Sequence, residues 1–128
     1  MSIKNLFFVP LLCLLLAACT TKKTELTWNK TLNKIGSQSS PKASDLNQDG
    51  VLDIIIGAGE NEYQASSKGI IALNGVDGQL LWEHPCIDQV YGSATLLDVT
   101  NDGIEDVFIG GRSNQFYAIN GATGTSIW

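Results

Sequence analysis

Short apolar runs alternate with polar, glycine-rich breaks along most of the chain, and the breaks are rich in Gly, Asn and Asp. The 3.6-residue periodicity of a helix is absent, and runs of this length bounded by turn residues favour strands. In the first half, the pattern predicts four strands, near 40–46, 52–58, 69–74 and 79–84. The expected fold class is all-β.

The strand pattern occurs twice. Residues 40–57 match residues 93–110 at an offset of 53, and residues 72–82 match residues 118–128 at an offset of 46. The difference between the two offsets means that the first copy carries seven extra residues, which fall in the polar stretch 60–68. Insertions of this kind usually lie in surface loops, so we expect this stretch to be one.

Each copy ends in a tryptophan. Trp82 and Trp128 close the two copies, and Trp28 lies before the first copy where an earlier, partial copy would end. The segments 74–78 and 120–124 supply the Asn and Gly residues of tight hairpins. Four-stranded units of roughly 50 residues are typical of β-propeller blades. The predicted architecture is therefore two blades of four antiparallel strands plus a partial blade, an incomplete propeller.

The N-terminus has the features of an export signal. Lys4 precedes an apolar stretch, 6–16, which leads into Leu-Ala-Ala and then Cys19. Such a short apolar segment ending in small residues is typical of a signal peptide rather than of a membrane-spanning helix. The ending resembles the bacterial lipobox, which implies that Cys19 is lipidated and becomes the first residue of the mature protein. An ordinary secretory signal with a chance cysteine is the alternative.

The lipobox resemblance also implies where in the cell the protein is located. Thr20 stands where an Asp would favour retention in the inner membrane, so the family's sorting rule implies the outer membrane in a Gram-negative host. The chain is accordingly expected in the cell envelope, lipid-anchored. The predicted division is a signal peptide at 1–18, a tether at 19–25, a strand of a partial blade at 26–35, repeat 1 at 36–84 and repeat 2 at 85–128.

Charge limits the classes of partner. The chain has 8 basic and 13 acidic residues and a net charge of −5, and removal of residues 1–18 takes away only Lys4, which leaves −6. This excess argues against nucleic acid or an anionic membrane surface as a partner. With Cys19 lipidated, Cys86 has no cysteine left to pair with, so no intrachain disulfide is expected in the mature protein.

An acidic loop follows the first strand of each copy. The first has the spacing Asp-x-Asn-x-Asp-Gly-x-x-Asp, which presents hard oxygen ligands from alternate positions, as Ca²⁺ prefers. An Asx-rich turn without metal is the alternative, but three carboxylates within nine residues, twice at matched positions, would repel one another without a cation. The predicted ligands are Asp45, Asn47, Asp49, the Val51 carbonyl and Asp53 in the first loop, and Asp98, Thr100, Asp102, the Ile104 carbonyl and Asp106 in the second.

Two families share these motifs. The acidic half, with the Gly57 or Gly110 that follows it, resembles the FG-GAP repeat of integrin α-chain propellers and of many bacterial surface proteins. The half ending Ala-Leu-Asn-Gly-Val-Asp-Gly-Gln-Leu-Leu-Trp resembles the tryptophan motif of quinoprotein (PQQ-like) repeats, which implies that the indole packs between neighbouring blades. Together the resemblances cover about 28–128, nearly the whole mature chain.

The expected function is non-catalytic: a calcium-binding propeller repeat module of a membrane-anchored lipoprotein that presents a surface to a protein or glycan. One alternative is a propeller scaffold of outer-membrane assembly, which shares the tryptophan motif. A quinoprotein dehydrogenase or polysaccharide lyase fragment is a further alternative, although no catalytic constellation is visible. Because two blades and one strand do not close a propeller, the remaining blades are expected from a missing C-terminal region or from self-association.

Overall fold

A computed structural model of the protein describes residues 27–128. The predicted signal peptide 1–18, the lipidation site Cys19 and the tether 19–25 lie outside the described residues. The described part is all-β, as predicted, and contains no helix. It accordingly has no helix that could span a membrane.

Seven strands form two antiparallel sheets. All four strands of the first sheet overlap the ranges that the sequence predicts, and they pair in chain order. The first sheet consists of β1 (Lys42–Ser44), β2 (Asp53–Gly57), β3 (Ser66–Leu73) and β4 (Leu80–Cys86). The second consists of β5 (Thr95–Leu97), β6 (Asp106–Gly110) and β7 (Phe116–Ile119), also paired in chain order.

The second sheet differs from the prediction of four strands, because it has three. After the turn at 120–125, Ser126 makes one isolated bridge to Ile119, and the N–H of Ile127 donates to the carbonyl of Ala118 at 2.7 Å. In the described residues, these two contacts take the place of the predicted fourth strand.

The predicted strand of a partial blade is also absent from the described residues 27–35. A strand needs a neighbour in the hydrogen-bonding direction, and none of the described strands pairs with this segment. The segment lies instead over one face of the first sheet. There Trp28, Leu32 and Ile35 pack against the buried Ile71 and Leu73.

Side chains alternate in direction along each strand, so each sheet has two faces. In β2, Ile55 is buried on one face, whereas Ile54 and Ile56 lie on the face covered by residues 27–35. The main core lies between the two sheets, where apolar side chains of both are withdrawn from water. Its buried members include Ile55, Ile70, Ala72 and Trp82 from the first sheet and Val107, Ile109 and Ile119 from the second.

Candidate acidic loops and aromatic contacts

The two acidic loops have the same backbone conformation. Gln48 and Asn101, matched at the offset of 53, both have φ of 59°, and Gly50 and Gly103 both have φ of 86°. Positive φ is costly for residues with a Cβ atom and is tolerated best by Gly and Asn. The sequence match therefore extends to local geometry, including a left-handed position held by a non-glycine residue in each loop.

In the first loop, the carboxylates accept hydrogen bonds from the loop's own backbone. The two oxygens of Asp45 accept the N–H groups of Asp49 at 3.0 Å and Gly50 at 2.9 Å. Asp49 accepts the N–H of Val51 at 2.8 Å and the side-chain amide of Asn47 at 2.9 Å. These bonds turn the chain sharply and hold the predicted ligands in one short loop.

The second loop keeps two of these four bonds, those donated by the glycine and by the residue after it, and has different donors in the other two. Asp98 accepts the N–H groups of Asn101 at 2.7 Å and Gly103 at 3.0 Å. Asp102 accepts the N–H of Ile104 at 2.9 Å and the side-chain amide of Asn120 at 3.1 Å. The Ile104 N–H and then the Asn120 amide stabilise the charged form, so the pKa of Asp102 lies below its usual range.

Asp53 and Asp106, the last carboxylate of each loop, are fully buried. The oxygens of Asp53 accept the N–H groups of Leu46 at 2.8 Å and Gly75 at 2.9 Å. Asp106 likewise accepts the N–H of Gly121 at 3.1 Å, together with two N–H groups from its own acidic loop. Each buried carboxylate thus ties the acidic loop of its sheet to a hairpin turn of the same sheet, a role that the motif alone does not indicate.

The chemistry of the loops fits Ca²⁺, which prefers carboxylate, amide and carbonyl oxygens. A carboxylate oxygen that accepts one N–H keeps a second lone pair for a cation. As the side chains stand, no three Asp, Glu, His or Cys residues of the described chain converge tightly enough to hold a metal ion. The predicted ligand sets, including the Val51 and Ile104 carbonyls and the Thr100 hydroxyl, therefore stay predictions.

The two acidic loops are neighbours. The hydroxyl of Ser44 donates to Glu105 at 2.7 Å, and a Cβ atom at Gly103 would lie 3.7 Å from the side-chain nitrogen of Gln48. The loops 45–52 and 98–105 and the turns 74–79 and 120–125 share one side of the molecule, which we call the acidic end. Carboxylates of both sheets are therefore concentrated on one surface.

Two tryptophans make matched contacts with hairpin turns. The indole N–H of Trp82 donates to the carbonyl of Gly121 at 2.7 Å, and that of Trp28 donates to the carbonyl of Gly75 at 2.8 Å. Three residues further along each turn, Gly124 and Gly78 both have φ of 71°, and an added Cβ atom would lie within 2.7 Å of the adjacent indole. Each turn therefore requires glycine for both its backbone and the tryptophan packed on it.

At the opposite end, which we call the connection end, the loops 58–65, 87–94 and 111–115 meet at a buried aspartate. Asp88 accepts the N–H of Tyr63 at 2.8 Å, the N–H of Gln89 at 2.7 Å and the hydroxyl of Ser113 at 2.9 Å. Burial alone would raise the pKa of Asp88, but these hydrogen bonds outweigh it and hold the pKa below its usual range. One carboxylate thus fixes three loops together.

Above this aspartate, the connection end carries an aromatic and charged cluster. The Arg112 guanidinium lies over the ring of Tyr63, 4.2 Å from its centroid, and 5.7 Å from that of Tyr91, and forms a salt bridge of 3.0 Å with Glu62. The side chain of Tyr63 is 75% exposed. Its φ of 59° places its backbone in the left-handed region, which is costly for a residue with a Cβ atom. The motifs did not predict this cluster; its signals are the seven-residue insertion, which contributes Glu62 and Tyr63, and the single arginine of the chain.

Comparisons of the chain with protein-family models, curated protein sequences and solved structures found no match. The likeness to FG-GAP and quinoprotein repeats therefore depends on the sequence motifs alone. The all-β class and the two antiparallel sheets depend on the structure.

Proposed function

We propose that the chain is a non-catalytic, calcium-binding module of the β-propeller type, carried by a lipid-anchored envelope protein, that presents its loops to a protein or glycan. The observation that carries this proposal is the pair of acidic loops, which share positive φ at matched residues and two carboxylate-to-backbone hydrogen bonds at matched positions. A conformation kept at matched positions of two sheets favours a shared ligand chemistry over two unrelated turns.

Bound calcium would increase the stability of the folded chain. The loop carboxylates lie close together at the acidic end of a chain with a net charge of −5, where like charges repel. The first loop would hold one ion through Asp45, Asn47, Asp49, the Val51 carbonyl and Asp53, and the second loop would hold another through Asp98, Thr100, Asp102, the Ile104 carbonyl and Asp106. An ion bound only by the folded state adds its binding free energy to folding.

The propeller part of the proposal is supported by how the units stack. Trp82 of the first sheet lies on the hairpin turn of the second sheet, and Trp28 lies on the hairpin turn of the first sheet in the same way. A contact that repeats from one sheet to the next is what successive blades require.

The connection end is the surface best suited to recognition. Tyr and Arg are common among residues that dominate binding energy, and fixed aromatic side chains lose little conformational entropy on binding. Asp88 holds Tyr63 in place from below, and Arg112 covers one face of its ring. This preorganised cluster supports a binding role for the module.

Calorimetric titration of the EDTA-treated chain with CaCl₂ tests the calcium proposal. We expect two bound ions per chain, with one site lost in Asp49→Asn and the other lost in Asp102→Asn. Asp77→Asn, which removes an exposed acid at the same end but outside both loops, is the matched control and should keep both sites. Absence of binding heat in the wild type would overturn the proposal.

The lipid anchor is tested separately. Cells supplied with radiolabelled palmitate should label the wild-type chain and not Cys19→Ser, while Cys13→Ser should label normally because it lies within the proposed signal peptide. A processed lipoprotein carries more than one acyl chain, enough for stable membrane attachment. Label on Cys19→Ser, or a wild type without label, would contradict the anchor.

A further inference from the structure

The loop that contains the seven-residue insertion is longer than its hairpin requires. In the second sheet, residues 111–115 are sufficient to join β6 to β7, whereas residues 58–65 join β2 to β3 in the first. The longer loop reaches the neighbouring unit, where Glu62 and Tyr63 contact Arg112 of the shorter loop. Binding residues are concentrated on loops that a rigid scaffold positions. The additional residues therefore build a surface that spans the two units.

Tyr63, in the longer loop, is held in a costly backbone conformation by contacts from outside the loop. Its N–H donates to the buried carboxylate of Asp88 at 2.8 Å, and the same carboxylate accepts the hydroxyl of Ser113 at 2.9 Å. A left-handed φ is uncommon for a bulky residue, and such strain persists only where the surrounding structure imposes it, most often at binding and catalytic sites. The connection end therefore fixes the position of a largely exposed side chain.

The ring of Tyr63 has one covered face. The Arg112 guanidinium lies over that face, 4.2 Å from the ring centroid, and also donates to the Tyr63 hydroxyl. Most of the remaining surface is in contact with solvent, because the residue is 75% exposed. The protein thus holds a flat aromatic surface in water in a fixed orientation, and a ligand that covers it gains contact area at little cost in side-chain entropy.

Polar side chains flank this ring in the loop. Residues 59–65 include no aliphatic side chain larger than that of alanine, and Glu60, Asn61 and Gln64 are exposed. The side-chain amide of Asn61 donates to that of Gln64 at 3.2 Å, so the two amides hold each other beside Tyr63. The buried core of a protein–protein interface is instead largely apolar. A single ring among amides and carboxylates matches a ligand whose surface combines C–H groups with many hydroxyl groups.

We propose that the connection end binds a neutral glycan and that one pyranose ring stacks on the open face of Tyr63. The C–H groups on one face of a pyranose carry small positive charges, which the negative face of an aromatic ring attracts. The hydroxyl groups at the edge of the sugar both donate and accept hydrogen bonds, as do the amides of Asn61 and Gln64. This inference rests on the proposed function, because it narrows the ligand of the module from a protein or glycan to a glycan.

The charges of the cluster favour a neutral sugar over a charged ligand. The guanidinium of Arg112 is paired with Glu62 at 3.0 Å, and Asp88 adds a second carboxylate to the cluster. An acidic sugar would meet this excess of negative charge on a chain with a net charge of −5. A cationic ligand would have to share the ring of Tyr63 with Arg112, whose positive charge already lies over one face.

Affinity electrophoresis tests the ligand class. The detergent-solubilised chain is run in native gels that contain xylan, galactomannan, mixed-linkage β-glucan, glycogen or the acidic polygalacturonate, with serum albumin as the non-binding reference. At least one neutral polysaccharide should retard the wild type relative to the reference. Retardation by polygalacturonate alone would contradict the neutral assignment, and no retardation in any gel would overturn the proposal.

Substitutions locate the binding surface. Tyr63→Ala should weaken the retardation about tenfold or more, as expected for an aromatic residue that dominates binding, and Tyr63→Phe should keep most of it. Gln64→Ala, a second exposed change in the same loop, should weaken it severalfold. Trp128→Ala removes another strongly exposed aromatic side chain, 68% exposed and outside the cluster, and should bind as the wild type. Loss of binding in Trp128→Ala with binding kept in Tyr63→Ala would overturn the assignment.

Calorimetric titration of the same preparations with CaCl₂ separates this inference from the calcium proposal. Tyr63→Ala should lose the glycan and still bind Ca²⁺, because the acidic loops lie at the opposite end of the molecule. A wild type that binds Ca²⁺ and no neutral polysaccharide contradicts the glycan inference alone. A wild type that binds a neutral polysaccharide through Tyr63 and no Ca²⁺ contradicts the calcium proposal alone and supports the glycan site.

Discussion

The indole N–H of Trp82 donates a hydrogen bond to the carbonyl oxygen of Gly121, 2.7 Å away, and so joins the last strand of the first sheet to a turn of the second. The side chain is 7% exposed and belongs to the core between the sheets. One residue therefore supplies both an apolar contact and a directional bond between the two units.

Replacement of Trp82 should show both contributions. Trp82→Ala should lower the free energy of unfolding by about 3–5 kcal/mol, as expected for a large buried aromatic side chain. Trp82→Phe keeps much of the apolar contact but leaves the Gly121 carbonyl without its donor, which costs about 1–3 kcal/mol. Urea unfolding measures both values. Trp128→Ala, which truncates a tryptophan that is 68% exposed, is the control and should change stability by less than about 0.5 kcal/mol.

Replacement by alanine should lower the free energy of unfolding by different amounts at two glycines with positive φ. At Gly50, where φ is 86° and no atom lies within 4 Å of an added Cβ, only the backbone cost of about 1–2 kcal/mol applies. At Gly124, where φ is 71°, the added Cβ also overlaps the Trp82 ring at 2.7 Å, and such overpacking costs about 1–3 kcal/mol more. Urea unfolding in EDTA compares them, and equal losses would contradict the close packing of Trp82 on this turn.

Asp53→Asn should destabilise the chain even without calcium. Both oxygens of Asp53 accept backbone N–H groups in a buried site, so an amide nitrogen in place of one oxygen would leave a donor facing a donor. The expected loss is about 1–3 kcal/mol by thermal or urea unfolding in EDTA. The exposed Asp49→Asn is the matched control, with an expected change below about 0.5 kcal/mol in EDTA. Similar effects of the two changes would show that Asp53 lacks this structural role.

Lowering the pH should destabilise the folded chain at the connection end, because it protonates the Asp88 carboxylate. Because its pKa is lower folded than unfolded, the unfolded state takes up the proton first as the pH falls. The stability that Asp88 contributes is complete above its ordinary pKa of about 3.9 and is lost as the pH falls from there through the lowered value. Asp88→Asn should therefore flatten the decline in stability below about pH 4. Unfolding at a series of pH values measures the slope, and the exposed Glu60→Gln should leave a steeper decline than Asp88→Asn.

Local patterns predicted the strands of the first sheet and the positions of the acidic loops, because short apolar runs and Asn-Gly or Asp-Gly turns act over a few residues. They did not predict the lack of pairing at residues 27–35, which depends on whether a neighbouring strand is present. Nor did they show that Asp53 reaches Gly75, or that Asp88 joins three loops. Those contacts join residues more than 20 positions apart and arise only when the sheets are assembled.

The most direct test of the account is the melting temperature of the EDTA-treated chain with and without added Ca²⁺. Binding at a hundredfold excess over Kd adds about 2.7 kcal/mol per site, which should raise Tm on the order of 10 °C. The double variant Asp49→Asn with Asp102→Asn should lose this rise while folding in EDTA as the wild type does. An unchanged Tm of the wild type on addition of Ca²⁺ would contradict the account.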